Sequence, residues 1–146
     1  MKLKKLKKHL NENQLSLLRE KILEMKFHFN LNDETINKCV VKFKKMESET
    51  AGNFECKDNH IIYVRINLNK KYLTSFGFSN VLKTFSHELA HFVEYIETGK
   101  VSHDENFKII CAILGGHMNE VLAGEQFKSY ATNEYLKKKS LFSKLF

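Results

Sequence analysis

The sequence Ser86-His87-Glu88-Leu89-Ala90-His91-Phe92 decides how the rest of the chain is interpreted. Its two histidines are four residues apart, and residues at this spacing lie one turn apart on the same face of an α-helix. His87 and His91 can therefore bind one metal ion. Glu88 is rotated by roughly 100° from His87, which keeps it out of the ligand pair but within reach of a water on the metal. This His-Glu-x-x-His pattern is typical of sites in which two imidazoles hold Zn²⁺ and the glutamate is the general base.

Apolar residues surround the motif and predict a long, largely buried helix over residues 81–98. Ser79 or Asn80 is a suitable N-cap, and Gly99 is expected to end the helix. Burying two histidines and a glutamate without a partner would be costly, and a zinc ion supplies a partner. The apolar positions are Val81, Leu82, Phe85, Leu89, Phe92, Val93 and Ile96.

The segments on either side predict both helices and strands. Asn11 or Asn13 is expected to cap a helix that ends near Phe29, and a second helix is expected from Asn32 or Asp33 to about Met46. Residues 50–56 are short and strand-like, residues 60–68 are rich in β-branched and aromatic residues, and together they predict a hairpin. Residues 69–79 are interpreted as a loop, and two further helices are predicted over 103–114 and 119–139. We therefore expect an α+β, zincin-like fold: N-terminal helices, a small and mostly antiparallel sheet, the central motif helix and C-terminal helices, in a single domain over residues 1–146.

The positive charge lies at the two ends of the chain. The net charge is +7, and residues 1–10 contain five lysines and residues 137–146 contain four, with no acidic residue in either segment. The rest of the chain is therefore slightly acidic. We interpret both ends as solvated, lysine-rich tails, which could also bind nucleic acid or another anionic surface.

The cysteines and the hydropathy pattern predict a cytoplasmic, intracellular protein. Cys39, Cys56 and Cys111 are odd in number and far apart, which excludes a disulfide framework and a zinc ribbon among them. No apolar run reaches the roughly 20 residues that span a bilayer, so no membrane partner is expected. The basic start is not followed by the apolar segment of a signal peptide.

A catalytic zinc ion usually has three protein ligands, and three residues after the motif are candidates for the third. Glu97 lies in the predicted continuation of the helix, which carries it away from the metal. Glu120 begins Asn119-Glu120-Val121-Leu122-Ala123-Gly124, which resembles the glutamate-containing helix of gluzincins except that Gly124 replaces an aspartate. His103 follows Gly99, where a turn would bring the next helix back over the metal.

The setting of His103 resembles the SprT-like metallopeptidases. Members of this family combine His-Glu-Leu-x-His with a third histidine about a dozen residues later, followed by an aromatic residue. Here His103 and Phe107 stand at the corresponding positions, with Asp104 where many members have glycine. Ala51-Gly52 and the segment Val64-Arg65-Ile66-Asn67-Leu68 are also similar to family patterns, so that the resemblance covers about residues 50–118.

The resemblance implies a zinc metallopeptidase with His87, His91 and His103 as metal ligands and Glu88 as general base. Its implied substrates are proteins or peptides, including proteins associated with DNA. We expect an extended substrate to pair with the edge of the sheet that contains residues 60–68. The residue that stabilises the transition state stays open among His117, Tyr63, Tyr95 and Tyr130. A non-catalytic module that keeps zinc as a structural element is the alternative, and an intact Glu88 argues against it.

Overall fold

The motif helix is the longest element of the computed structural model, which describes residues 1–47, 50–57 and 60–116. This helix, α4, spans Phe78–Thr98 and ends at Gly99, whose φ of 74° places it in the left-handed region. The predicted end is thus confirmed. The predicted caps are wrong, because the helix begins after Gly77 and the Asn80 side chain instead donates to the carbonyl of Phe76.

A first helix, α1, spans Glu12–Phe29 and packs against α4. Its N-terminus is a capping box: Asn11 accepts from the backbone N–H of Gln14, and the Gln14 side chain accepts from that of Asn11. The predicted helix is confirmed. Its buried face consists of Leu15, Leu18, Met25 and Phe29.

The second predicted helix is mostly a strand. Helix α2 spans only Asp33–Ile36, capped as predicted by Asn32, and strand β1 follows at Cys39–Lys44. Apolar residues at 36, 39, 40 and 43 fit a helical period, but Val40 and Val41 are β-branched and favour a strand. In the strand, Cys39 and Val41 are both fully buried, in the alternating pattern of a sheet with one face on the core.

The sheet has three strands in the order β1-β3-β2, where β2 spans Gly52–Lys57 and β3 spans His60–Asn69. β2 and β3 are antiparallel, which confirms the predicted hairpin. β1 runs parallel to β3, so the sheet is mixed rather than mostly antiparallel. The predicted α+β class is confirmed.

The predicted loop at residues 69–79 contains a short helix, α3, at Lys70–Phe76. Asn69, the last residue of β3, caps it by accepting from the backbone N–H of Lys71. The Asn69 amide also donates to the carbonyls of Glu47 and Thr50. This fully buried side chain therefore joins the end of β3 to the chain that leads into β2.

The N-terminal segment is packed, which corrects its interpretation as a solvated tail. Lys4–Lys8 form a 3-10 helix, and the leucines of this segment are buried. Lys2 donates its backbone N–H to Cys39 and accepts from that of Val41, so it extends the sheet beside β1. The lysine side chains themselves are exposed. The buried leucines are Leu3, Leu6 and Leu10.

The last described helix, α5, spans Glu105–Leu114 and packs against α4. Asp104 caps it and Gly115 ends it, as the predicted helix over 103–114 requires. The predicted helix over 119–139 and the lysine-rich residues 137–146 lie outside the described residues. Within the described residues, no helix is long and apolar enough to cross a membrane.

Candidate metal centre

Helix α4 and the loop before α5 bring three histidines together. His87 and His91 lie one turn apart on α4, with ring centroids 4.9 Å apart. The ring of His103 lies 5.3 Å from that of His87 and 4.8 Å from that of His91. One ring nitrogen of each residue lies within 4.8 Å of the others. The predicted third histidine is therefore adjacent to the helical pair.

Three imidazoles are a donor set suited to a metal ion such as Zn²⁺. The Nε2 atoms of His87 and His103 are 3.3 Å apart, which is about the separation of two nitrogens on a tetrahedral Zn²⁺ with Zn–N bonds of roughly 2.0–2.1 Å. Nδ1 of His91 is buried without a hydrogen-bond partner in the described part of the chain. Burial, and to a lesser extent the neighbouring His87 and His103, lower the pKa of His91 to about 3, so its imidazole is neutral, as a metal ligand must be.

Two phenylalanines lie roughly parallel to the ring of His91. Phe107 of α5 stacks on it at 4.2 Å with an interplanar angle of 20°. Phe54 of β2 lies on it at 6.3 Å and 24°. Phe107 also contacts the rings of His87 and His103 edge-on, at 4.9 and 5.0 Å. The aromatic residue that follows the third histidine thus packs against all three imidazoles.

Glu88 lies beside this cluster and is almost fully buried, with 4% exposure. Its Oε2 has no hydrogen-bond partner among the described residues. Burial raises the pKa of the carboxyl group to about 8. A buried carboxyl group with an unused oxygen is costly to keep, and Glu88 lines the same cleft as the three histidines.

The site opens into a cleft of about 550 Å³ between α4, β2 and the loop before α5. Gly52 lies against the motif, because a Cβ atom there would be 3.5 Å from Oε1 of Glu88. That atom would also be 2.8 Å from the carbonyl oxygen of Asn67 and 2.9 Å from Cγ2 of Thr84. Only glycine therefore allows β2 to lie this close to the helix. The cleft is lined by Thr50, Ala51, Gly52, Asn53, Phe54, Tyr72, Thr84, His87, Glu88, His91, Val101 and His103.

The other predicted candidates are placed differently. Glu97 is exposed near the end of α4, and it is not in the histidine cluster found in the described residues. Tyr95 is half-buried and packs against Phe54 with ring centroids 5.9 Å apart. Glu120, His117 and Tyr130 lie outside the described residues, as does the side chain of Tyr63. The roles assigned to Glu88 and the three histidines, and the preference for His103 over Glu120, stay predictions.

Sequence patterns did not indicate several residues that surround the site. Tyr72 and Thr84 line the cleft. The thiol of Cys111 lies 3.9 Å from Nδ1 of His87, on α5 behind the motif. Gly116 packs on the backbone of His87, where a Cβ atom would be 2.7 Å from the His87 nitrogen. Thr84 lies one turn before His87 on α4, whereas tertiary packing brings Tyr72, Cys111 and Gly116 to the site.

Comparisons with known proteins identify the family. The SprT-like family matches residues 18–130, a range that includes the sheet, α4, α5 and the three histidines. A search of the curated proteins returned no match, and a search of the solved structures returned none either. The family match covers well over half of the sequence and agrees with the resemblance seen around His103. This chain therefore belongs to the SprT-like family.

Proposed function

We propose that this protein is a zinc-dependent metallopeptidase that hydrolyses peptide bonds in its cleft. The observation that carries this proposal is the arrangement of three converging imidazoles beside a buried carboxyl group with an unused oxygen. A structural metal site would require only the ligands, because it has no use for a base. Membership of the SprT-like family supports the same function.

The proposed ligands are His87, His91 and His103, in their neutral form. A zinc ion bound to them would act as a Lewis acid on the scissile carbonyl and would lower the pKa of a bound water from 15.7 towards about 7. Glu88 accepts the proton of the attacking water and then donates it to the nitrogen of the leaving amine. Its burial suits this role, because burial raises its pKa to about 8 in the metal-free protein, and a nearby cation would bring the pKa back down towards neutral pH.

Strand β2 is the proposed binding edge for an extended substrate. Among the described strands β2 pairs only with β3, and an unpaired strand edge can bind an extended peptide through backbone hydrogen bonds. Its first residues, Gly52, Asn53 and Phe54, line the cleft next to Glu88. A peptide added to this edge would therefore run past the histidines.

The test compares cleavage of an unfolded protein by the parent protein and the Glu88→Gln variant, each depleted of metal and then reloaded with Zn²⁺. Reloading should restore cleavage by the parent. Glu88→Gln should bind zinc in the same amount but cleave about 10²–10⁴-fold more slowly, since general acid–base catalysis contributes that much. Glu97→Gln, an exposed position on the same helix, is the matched control and should cleave at the parental rate.

Two results would contradict the proposal. Cleavage by Glu88→Gln at the parental rate would remove Glu88 from the mechanism. A zinc-loaded parent protein without activity on unfolded proteins or peptides would favour the non-catalytic module.

A further inference from the structure

The loop that carries His103 is tied to helix α4 by a buried carboxylate. Oε1 of Glu94 accepts from the backbone N–H of Ser102 at 2.6 Å. Oε2 of Glu94 accepts from the hydroxyl group of Ser102, also at 2.6 Å. Both oxygens of one side chain thus bind both donors of one residue, and that residue directly precedes His103.

Because Glu94 is buried, breaking its hydrogen bonds to Ser102 would cost free energy. Its side chain is 1% exposed, and a buried carboxylate is tolerated only when hydrogen bonds replace its lost hydration. Ser102 supplies two of these bonds. Any movement of the loop away from α4 would break both at once and leave a buried charge without them. Because Glu94 lies three residues after His91, the contact forms one turn from the helical pair.

The residue after His103 is anchored as well. Asp104 caps α5, accepting from the backbone N–H of Phe107 at 3.0 Å. Its own N–H donates to the Ser102 hydroxyl oxygen at 3.3 Å. His103 is therefore held between one residue bound to α4 and another that begins α5. Its side chain is itself exposed, so these backbone anchors restrict it more than burial does.

We propose that Glu94 is a positioning residue of the metal centre, which acts through Ser102 to hold His103 against His87 and His91. This inference rests on the proposed ligand set. Replacement of residues that orient metal ligands typically weakens metal binding about 10–100-fold. Glu94→Ala should weaken zinc binding by a factor in this range, although Glu94 is not one of the three residues of the cluster.

The test measures zinc affinity by competition with a chromophoric chelator, together with the visible absorption of the Co²⁺-loaded protein, which reports coordination geometry. Glu94→Ala should weaken zinc binding about 10–100-fold and alter the Co²⁺ spectrum. Glu97→Ala, the exposed glutamate one turn further along α4, should stay within about twofold of the parent. In a His103→Ala background, Glu94→Ala should have no further effect on affinity, because the residue that it positions is absent.

The design separates failure of this inference from failure of the ligand set. If His103→Ala leaves the zinc affinity and the Co²⁺ spectrum unchanged, the ligand set is wrong and the inference falls with it. If His103→Ala weakens binding while Glu94→Ala lowers only the unfolding temperature of the metal-free protein, the Glu94 contact stabilises the turn alone and the inference is overturned. Equal losses from Glu94→Ala with and without His103 would also overturn it.

A milder variant keeps the test usable if Glu94→Ala does not fold. Ser102→Ala removes the hydroxyl bond but retains the backbone N–H bond to Glu94. Ser102→Ala should therefore weaken zinc binding, but less than Glu94→Ala does. This loss should also disappear in a His103→Ala background. Parental affinity in Ser102→Ala would overturn the inference.

Discussion

The helical pair and the loop histidine reach the same point by different physical means. The spacing of a single α-helix places His87 and His91 together, and α4 is packed on several sides by other elements. His103 instead depends on a turn at Gly99, on the bonds between Ser102 and Glu94, and on the cap of α5. Two of the three imidazoles are thus positioned by local structure, and the third by tertiary contacts.

This difference predicts unequal consequences when each ligand is lost. If a loop ligand is removed, two preorganised ligands remain on one rigid helix. If a helical ligand is removed, the remaining two lie on separate elements, which must be held together without it. Removal of each ligand in turn tests this inequality.

His91→Ala should abolish stoichiometric zinc binding. His91 is the buried member of the helical pair and is stacked with Phe107 and, at a greater distance, with Phe54. Its loss leaves one helical and one loop ligand, and removes a buried ring that packs on Phe107. Zinc content after dialysis, measured by elemental analysis, should fall from about one ion per chain in the parent to near zero, as expected for loss of one of three protein ligands. Full retention of zinc would remove His91 from the ligand set.

His103→Ala should weaken zinc binding by more than about 100-fold, the upper end of the range for residues that only orient ligands. It should still weaken binding less than His91→Ala, because the helical pair remains. Chelator competition measures both affinities. Glu120→Ala is the informative comparison, since Glu120 was the other strong candidate. A larger loss in Glu120→Ala than in His103→Ala would place Glu120 on the metal.

Gly52→Ala should destabilise the protein by about 1–3 kcal/mol, as overpacking typically does. The added methyl group would lie 2.8 Å from a backbone oxygen of Asn67 and 2.9 Å from the side chain of Thr84. Strand β2 would have to move away from α4, so cleavage should also slow. Urea unfolding measures the free energy change. An unchanged free energy of unfolding would show that β2 is not packed this closely on the motif.

The metal-free protein should lose stability as the pH rises from about 6.5 to about 8. In this range the folded chain retains a proton on Glu88, whose pKa burial raises from 4.5 to about 8, while the unfolded chain has released it. The folded state binds more protons, so the free energy of unfolding falls with pH, by at most about 2 kcal/mol over this window.

In the pH range above about 6.5, the effect of Glu88 on the free energy of unfolding is separated from that of His91. Below about 6.5 the lowered pKa of His91 acts in the opposite direction, because there the unfolded state binds more protons. Urea unfolding of chelator-treated protein at several pH values measures the slope, and the fall of the free energy of unfolding with rising pH should disappear in Glu88→Gln. A slope that persists in that variant would assign the effect to another group.

The sequence predicted those parts of the fold and site that depend on local spacing. The helix around the motif, its end at Gly99, the cap at Asn11 and the hairpin all follow from short-range patterns. His103 was found because a family pattern records its distance from the motif. The spacing of residues after the motif alone gives three candidates for the third ligand: Glu97, His103 and Glu120.

The errors occurred where tertiary pairing overrides a local pattern. Residues 39–44 have apolar positions at a helical period, yet they form β1 because β3 offers a parallel partner. The lysine-rich start contains three leucines that are buried against the core. Its high positive charge favours the interpretation as a solvated tail, which does not account for these leucines. The contact between Glu94 and Ser102 has no sequence signature, since it requires the turn at Gly99 to form first.

The parallel pairing of β1 with β3 also has a kinetic consequence. Parallel strands cannot be joined by a tight turn, so β1 gains its partner only after the chain as far as β3 is available. Lys2 pairs with Cys39 and Val41 of β1 and is further still in sequence from the hairpin. Because local contacts form fastest, we expect the β2–β3 hairpin to nucleate the sheet and β1 to dock afterwards. The segment around Lys2 and strand β1 would then pack onto the sheet after the hairpin has formed.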